Sequence, residues 1–475
     1  MGTPSSGSVT PVSTRDVIWP VIPLLAGVSL LMGATGLQSS LVALRATAEG
    51  FPSVLVGLIA SAYFLGFLVG ARLSATWIGR VGHVRAFGAF ASMASVMVLT
   101  HVLAVSVPVW VVARFLSGIC LSGLVVIIES WLNSSAPRDL RGRVLSTYMT
   151  VNLGGYAVGQ FLLPVAPVES FELFAIVSVL LSLALLPVTL SRRSNPAVVT
   201  ISSMPVRSLV GRAPVGVVAS AMAGLTWGAI SGDAPVVASQ AGLRGLSLTL
   251  FVSAFLVGHL ACEGLIGSLS DRLDRRVVTL VVAASSTALC VVAALLSGLP
   301  AALVPLGVAI GGTTLPLYSL SIALAGDRLA TDEMVAASGT LVRINGLGAA
   351  AGPLLASTVM TSPLGVPGFY LLVASGTTVV VLTAGALLMR DGTLAPQVPY
   401  VRAAARATTT VTRSVLRGSA SVRERREVRR AEKRAVRHGR RIEPSARQSE
   451  RPRPERPGRV RRTDRSSART DDRSG

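Results

Sequence analysis

Asn152-Leu-Gly-Gly-Tyr-Ala-Val-Gly159 returns 193 residues later as Asn345-Gly-Leu-Gly-Ala-Ala-Ala-Gly352. Each copy lies in an apolar stretch long enough to cross a bilayer. Other landmarks keep almost the same offset: Arg80 falls on Arg272, and Gly118 on Gly311. Self-similarity at one long offset is the mark of a duplicated structural unit. The chain therefore reads as two parallel halves of six apolar spans each.

The twelve spans run approximately over 17–44, 53–72, 84–106, 108–132, 144–166, 170–190, 214–237, 246–269, 277–298, 300–325, 335–360 and 368–389. A helix needs about 20 apolar residues to cross the ~30 Å hydrocarbon layer, where no water can satisfy a bare backbone. The fold class is thus an all-α polytopic membrane protein, with one six-helix bundle over 16–190, a polar linker over 191–213 and a second bundle over 214–389. Residues 1–15 read as a disordered N-terminus and 390–475 as a disordered basic tail. Composition agrees, since 51% of the 475 residues are apolar and only 14% charged, unlike an ordinary soluble protein. The first span is too long for a signal-peptide core and is expected to stay as a helix. Cys120, Cys262 and Cys290 all fall inside spans, where they indicate neither a disulfide framework nor a redox role.

Arginine sets the orientation. The loops after spans 2, 4, 6, 8 and 10, with their flanks, carry 14 arginines, whereas the opposite loops carry only Arg45 and Arg244. The positive-inside rule puts the arginine-rich side, and with it both termini, in the cytoplasm of a multi-pass plasma or inner membrane protein. Of the formal net charge of +21, +14 lies from residue 391 onward, where 24 basic residues meet 10 acidic ones. That tail either stays solvated or lies on anionic lipid head groups. It has no aromatic residue past Tyr400 to stack on bases, so nucleic acid is not an expected partner.

Gly267-Ser-Leu-Ser-Asp271-Arg272-Leu-Asp-Arg275-Arg276 matches the G-x-x-x-D-R-x-G-R-R loop of the major facilitator superfamily, and Arg114-Phe-Leu-Ser-Gly118 resembles that family's motif in the fourth helix. Glu129-Ser-Trp-Leu132 followed by Arg141-Gly-Arg143 looks like a bacterial subgroup of poorly defined substrate. The resemblance spans about residues 16–389. It implies a substrate site at the midplane between the halves, exposed alternately to the two sides. It also implies that Asp271 faces the dipole end of a helix in the other half, near Gly142 to Leu145, and holds the cytoplasmic side closed. Arg272, Arg275, Arg276, Arg80, Arg141 and Arg143 would complete that gate. Two positions depart: Gly79 stands where the first-half loop expects Asp, and Asp274 where the second-half loop expects its second Gly.

Ionisable side chains inside spans are costly and mark candidate pathway residues. Glu129, Asp233, Glu263 and Arg343 are the set, with Arg114 added by resemblance. His259 precedes Glu263 by four residues, so both leave one face of the eighth span and can share a proton or form a polar pair between helices. Glu129 is either a pathway residue or the partner of Arg138 or Arg141, with Trp131 beside it as an interfacial anchor. Asp233, in Ser231-Gly-Asp-Ala-Pro235, either faces a ligand beside a bent or broken seventh span or faces water at the mouth. Arg343 sits about 12 Å deep and needs a carboxylate or an anionic substrate group. Gln38 and Asn152 add hydrogen bonds or helix-packing contacts. Gly155 with Gly159 and Gly348 with Gly352 present small faces for close helix approach, which the resemblance places between the halves.

The expected function is a secondary active transporter of a small molecule, proton-coupled and working as a monomer in the lipid bilayer, with efflux and uptake equally served. No P-loop, metal-ligand cluster or nucleophile–base set occurs, so neither an enzyme nor a cofactor is expected. The alternative is a non-transporting receptor or scaffold with a lipid- or partner-binding tail, which would gain nothing from charges buried in its spans.

Overall fold

The computed structural model describes residues 22–135, 141–189, 204–330 and 333–391, in which every regular element is helical. The first half comprises α1 (Ile22–Ala48), α2 (Ser53–Val81), α3 (His83–Leu103), α4 (Val107–Ser135), α5 (Arg141–Gln160), α6 (Glu172–Leu183) and α7 (Leu186–Thr189). After the short linker helix α8 (Val206–Arg212) come α9 (Pro214–Gln240), α10 (Gly245–Arg272), α11 (Arg275–Leu295), α12 (Pro300–Thr314), α13 (Leu317–Gly326), α14 (Met334–Met360) and α15 (Val366–Asp391). Among the described residues nine spans are long and apolar enough to cross a membrane. Spans 5, 6 and 11, which are α5, α6 with α7, and α14, complete two sets of six. The fifth and eleventh fall short in apolarity because they carry Thr, Asn, Arg and Gly.

The hydrogen-bond ladder of span 10 is interrupted and that of span 7 is not, although Leu315 and Pro316 keep helical backbone angles. Pro316 has no N–H to donate and its ring opposes the carbonyl one turn back, so α12 ends at Thr314 and α13 restarts at Leu317. Pro235 lies within α9, which nevertheless runs uninterrupted from Pro214 to Gln240. The interruption anticipated beside Asp233 is therefore found beside Tyr318.

The duplication is visible in backbone contacts that only glycine permits. A Cβ on Gly159 would lie 2.0 Å from the Gly33 carbonyl, and one on Gly155 2.9 Å from the Ser29 carbonyl, so α5 rests directly on α1. In the second half Gly348 and Gly352 meet the Ala221 and Leu225 carbonyls, each at 2.2 Å, so α14 rests on α9. Gly66 and Gly118 join α2 to α4, as Gly258 and Gly311 join α10 to α12. These faces pack helices of the same half, and the expected placement of the glycine pairs between the halves is corrected accordingly.

Between the halves α2 lies along α14, α1 meets α9, and α5 meets α10. Towards the arginine-poor end this seam is sealed. Residues 31–38 of α1, 232–238 of α9 and 251–256 of α10 are buried round the whole helix circumference. Gly57 leaves no room for a Cβ against Ser357 and Pro353, and Gly232 is similarly crowded by Pro353 and Ala60. A direct hydrogen bond crosses there, from Ser253 Oγ to Gln160 Oε1 at 2.9 Å, with both residues buried.

Candidate transport pathway

Two polar clusters occupy the seam at different depths. Nearer the arginine-poor end, Thr35 and Ser39 of α1, Tyr63 of α2, Arg114 of α4, Tyr156 of α5 and Ser231 of α9 line a small, tightly packed cavity. Arg114 lies seven residues into α4, about 10 Å from that end of the helix at 1.5 Å per residue. Its guanidinium covers the Tyr63 ring, 4.4 Å from the centroid, an arrangement that offsets part of the cost of burying a permanent charge. Local packing sets this geometry: Gly118, one turn after Arg114 on the same face, would place a Cβ 2.1 Å from the Tyr63 carbonyl, so α2 and α4 touch backbone to backbone. The Ser39 and Tyr156 hydroxyls are 2.7 Å apart, and the Tyr156 ring stacks obliquely across the seam on Trp227, centroids 6.1 Å apart.

Nearer the arginine-rich end, each half supplies a buried carboxylate. Glu129 of α4 is 1% exposed, with the Tyr148 hydroxyl 3.5 Å from its Oε1 and the Asn152 amide 3.5 Å beyond that hydroxyl. Tyr318 of α13, in the other half, lies within electrostatic reach of Glu129. The next residue, Ser319, donates a hydrogen bond to Glu263 Oε1 at 2.7 Å, and Glu263 Oε2 is 3.6 Å from His259 Nδ1. Consecutive residues at the break in span 10 thus stand between a carboxylate of one half and a carboxylate–imidazole pair of the other.

The Major Facilitator Superfamily model matches the chain twice, over residues 18–215 and 216–432. The chain belongs to this superfamily. A relative from Yersinia pestis (strain Pestoides F), an uncharacterized MFS-type transporter, is 28% identical over 355 residues, covering 72% of this chain and 89% of its own length. The uncharacterized MFS-type transporter YcaD of Escherichia fergusonii is 25% identical over 351 residues with the same coverage. Among solved structures, a bacterial homolog of the human lysosomal transporter Spinster, inward-facing and occupied, has a TM-score of 0.62 at 16% identity, covering 82% of this chain and 100% of that one. The nucleoside transporter NupG has a TM-score of 0.60 at 12% identity over 77% and 98%. At these identities the solved structures establish the fold alone, and it is the twelve-helix fold of the superfamily.

Against that fold, the residues singled out from sequence separate into groups. Glu129, Asn152, His259 and Glu263 meet in the cluster just described. Arg343 of α14 is half-buried and within electrostatic reach of Arg72 of α2, across the seam. Asp233 and Gln38 are buried elsewhere in the sealed region, and Asp233 Oδ2 and Gln38 Nε2 each lack a hydrogen-bond partner among the described residues. Trp131 is not at the lipid interface: it is buried against His83 and Phe87, with centroids 5.8 and 6.3 Å away.

The arginine-rich loop of the second half is organised by a fully buried guanidinium. Arg275 pairs with Asp327 at the end of α13 and, at 3.2 Å, with Asp271. Asp274, the departure from the loop pattern, caps α11 by accepting from the Arg276 N–H at 2.8 Å, and its other oxygen pairs with the Arg276 guanidinium at 3.3 Å. Arg272 and Arg80 are exposed. Arg138 and the side chains of Arg141 and Arg143 lie outside the described residues.

Sequence reasoning passed over Tyr63, Tyr148, Tyr318, Ser319, Gln160 and Ser253. Tyr148 was within reach, since it stands one turn before Asn152. Tyr318 and Ser319 were marked only by the proline before them.

Proposed function

We infer that the protein carries a small molecule across the membrane by alternating access, coupled to protons, with one chain sufficient for the cycle. One observation carries this reading: each half buries one carboxylate towards the arginine-rich end, Glu129 beside Tyr148 and Glu263 held by Ser319 and close to His259. Two carboxylates so placed change their surroundings whenever the halves rock, and a change of surroundings is what shifts a proton on or off. His259 is the exchange partner of Glu263, and Arg114 over Tyr63 is the fixed charge of the sealed cavity. The sealed arginine-poor end and the exposed Arg72 at the other end describe one extreme of the cycle. With the arginine-rich side in the cytoplasm, that extreme faces inward, as one structural neighbour does. Asp271, Arg275 and Arg276, together with the exposed Arg80 and Arg272, form the gate that closes in the opposite extreme.

The test begins with a thermal-shift screen of small molecules on the purified protein. A stabilising compound, labelled, should then show counterflow in proteoliposomes and should accumulate after a pH jump. Glu263→Gln should retain counterflow and lose the pH-driven accumulation. Counterflow absent for every stabilising compound would refute transport; accumulation unchanged in Glu263→Gln would refute the coupling role.

A further inference from the structure

Asp233 lies seven residues before the arginine-poor end of α9, about 10 Å deep at 1.5 Å per residue. It is 2% exposed, within the run 232–238 that is buried on every side. Among the described residues its Oδ2 has no hydrogen-bond partner, and Asp233 enters no ion pair. The residue before it, Gly232, touches the other half: a Cβ there would lie 3.0 Å from Ala60 of α2, as well as 2.9 Å from Pro353 of α14. Gly232 and Ser231 also line the small cavity of the seam. The carboxyl therefore sits one residue behind a contact that seals this end.

The helices packed on α9 towards this end are α1, α2, α10, α14 and α15. In their arginine-poor halves the titratable groups are Arg45 of α1, Tyr63 of α2 and Tyr370 of α15. Arg45 is engaged by Glu49 at 2.6 Å, and the Tyr63 ring lies under Arg114 of α4. His259 and Glu263 of α10 lie about 10 Å or more further inward. A carboxylate only accepts hydrogen bonds, and within a helix the N–H groups are already spent on the ladder, whereas carbonyls keep a second lone pair. The carboxylic acid brings its own O–H, and burying it costs far less than burying an unpaired carboxylate. We propose that Asp233 is a proton-binding site that latches the arginine-poor end: the seal closes over the carboxylic acid and not over the carboxylate. On closing, one proton from water on that side bonds to a carboxylate oxygen. On opening, Gly232 parts from Ala60, water reaches the carboxyl and the same O–H bond breaks. The proposal deepens the transport reading and rests on it, adding a proton site near the opposite end of the seam from Glu129 and Glu263.

The experiment measures the distance between nitroxide labels on Val105→Cys and Leu299→Cys, one at the arginine-poor end of each half, in full-length protein whose three native cysteines are replaced by alanine. Both label sites are exposed. In nanodiscs of zwitterionic lipid, between about pH 5 and about pH 9, the ratio of long to short distances should rise by up to about tenfold per unit, the slope of one released proton. Asp233→Asn should keep the short distance at every pH. Asp233→Glu keeps a carboxyl and should recover the slope, which a mere packing defect would not. Infrared difference spectra, parent minus Asp233→Asn at neutral pH, should show the C=O stretch of a protonated carboxylic acid.

If Asp233→Asn keeps the slope of the parent protein, the latch is overturned, and a difference spectrum without the acid band overturns it independently of any distance. Asp233→Glu showing both distances but no slope does the same. Failure of the transport reading looks different: one distance then persists at every pH in every variant while the acid band is present, which removes the rocking and with it the latch.

Discussion

The two halves share their packing and differ in their chemistry. Backbone-to-backbone glycine contacts recur at corresponding positions, α1 with α5 as α9 with α14, and α2 with α4 as α10 with α12. Some polar positions recur, Asn152 as Asn345, Ser39 as Ser231 and Arg80 as Arg272, but several that shape the pathway do not. Phe255 stands where the repeat puts Tyr63, and Gly307 where it puts Arg114. His83, buried against Trp131, occupies the place that Arg275 fills in the second half with its two aspartates. Duplication preserved what lets helices approach, because any side chain there collides with main chain. It left the charged positions free to diverge, so the pathway is asymmetric inside a symmetric frame.

That contrast can be broken first at the glycines. Gly159→Val and Gly352→Val should each cost about 3 kcal/mol or more, since a Cβ near 2 Å from a carbonyl forces whole helices apart. Yield of monodisperse protein and thermal unfolding in detergent should fall by similar amounts for the two. A large loss in one half with tolerance in the other would show that the shared packing is only apparent. The chemistry should behave oppositely. Replacing Glu263 by Gln is expected to leave yield near normal while lowering pH-driven accumulation at least about tenfold, the scale of losing a charge-assisted hydrogen bond; equal damage to folding would make this glutamate part of the frame instead.

Smaller effects sharpen the comparison. Asp271→Asn leaves Asp327 to hold Arg275, so the protein should fold and insert while transport weakens severalfold; unchanged transport would remove this aspartate from the gate. The seal at the arginine-poor end combines the Ser253–Gln160 hydrogen bond with many close contacts. Gln160→Ala should therefore shift the equilibrium between the two extremes by only about three- to fivefold, the worth of a single hydrogen bond inside a membrane bundle. Labels at the arginine-poor ends of α1 and α9 would read that shift.

The smallest effect belongs to the described end of the linker, residues 204–212, which touches the second half. Met204 exchanges hydrogen bonds with Thr340, and Arg212 pairs with Glu333 at 2.6 Å. The hydrogen bond from Arg212 holds the Glu333 carboxyl below its ordinary range. A carboxyl lowered in the folded state contributes stability that is present above its unfolded pKa and is lost as pH falls through the folded one. Both groups are solvent-exposed, so Arg212→Ala should lower the unfolding temperature only slightly at neutral pH. In acid, below the folded pKa of Glu333, the difference from the parent protein should vanish.

Much of the frame was legible in the chain itself. Span number, the duplication and the arginine asymmetry are one-dimensional properties, because a bilayer demands a minimum apolar length and tolerates few interruptions. The pairing of His259 with Glu263 followed from helical spacing, and the glycine pairs announced close packing. Which helix each glycine would meet was not legible, since a small face is complementary to any other small face, and the structure puts α5 on α1 rather than across the halves. Pro235 and Pro316 look alike in sequence, yet only the second interrupts its span. The meetings of Gln160 with Ser253 and of Tyr156 with Trp227 depend on how two bundles sit against each other. No local pattern encodes that, because residues hundreds of positions apart become neighbours only when the seam between the halves is formed.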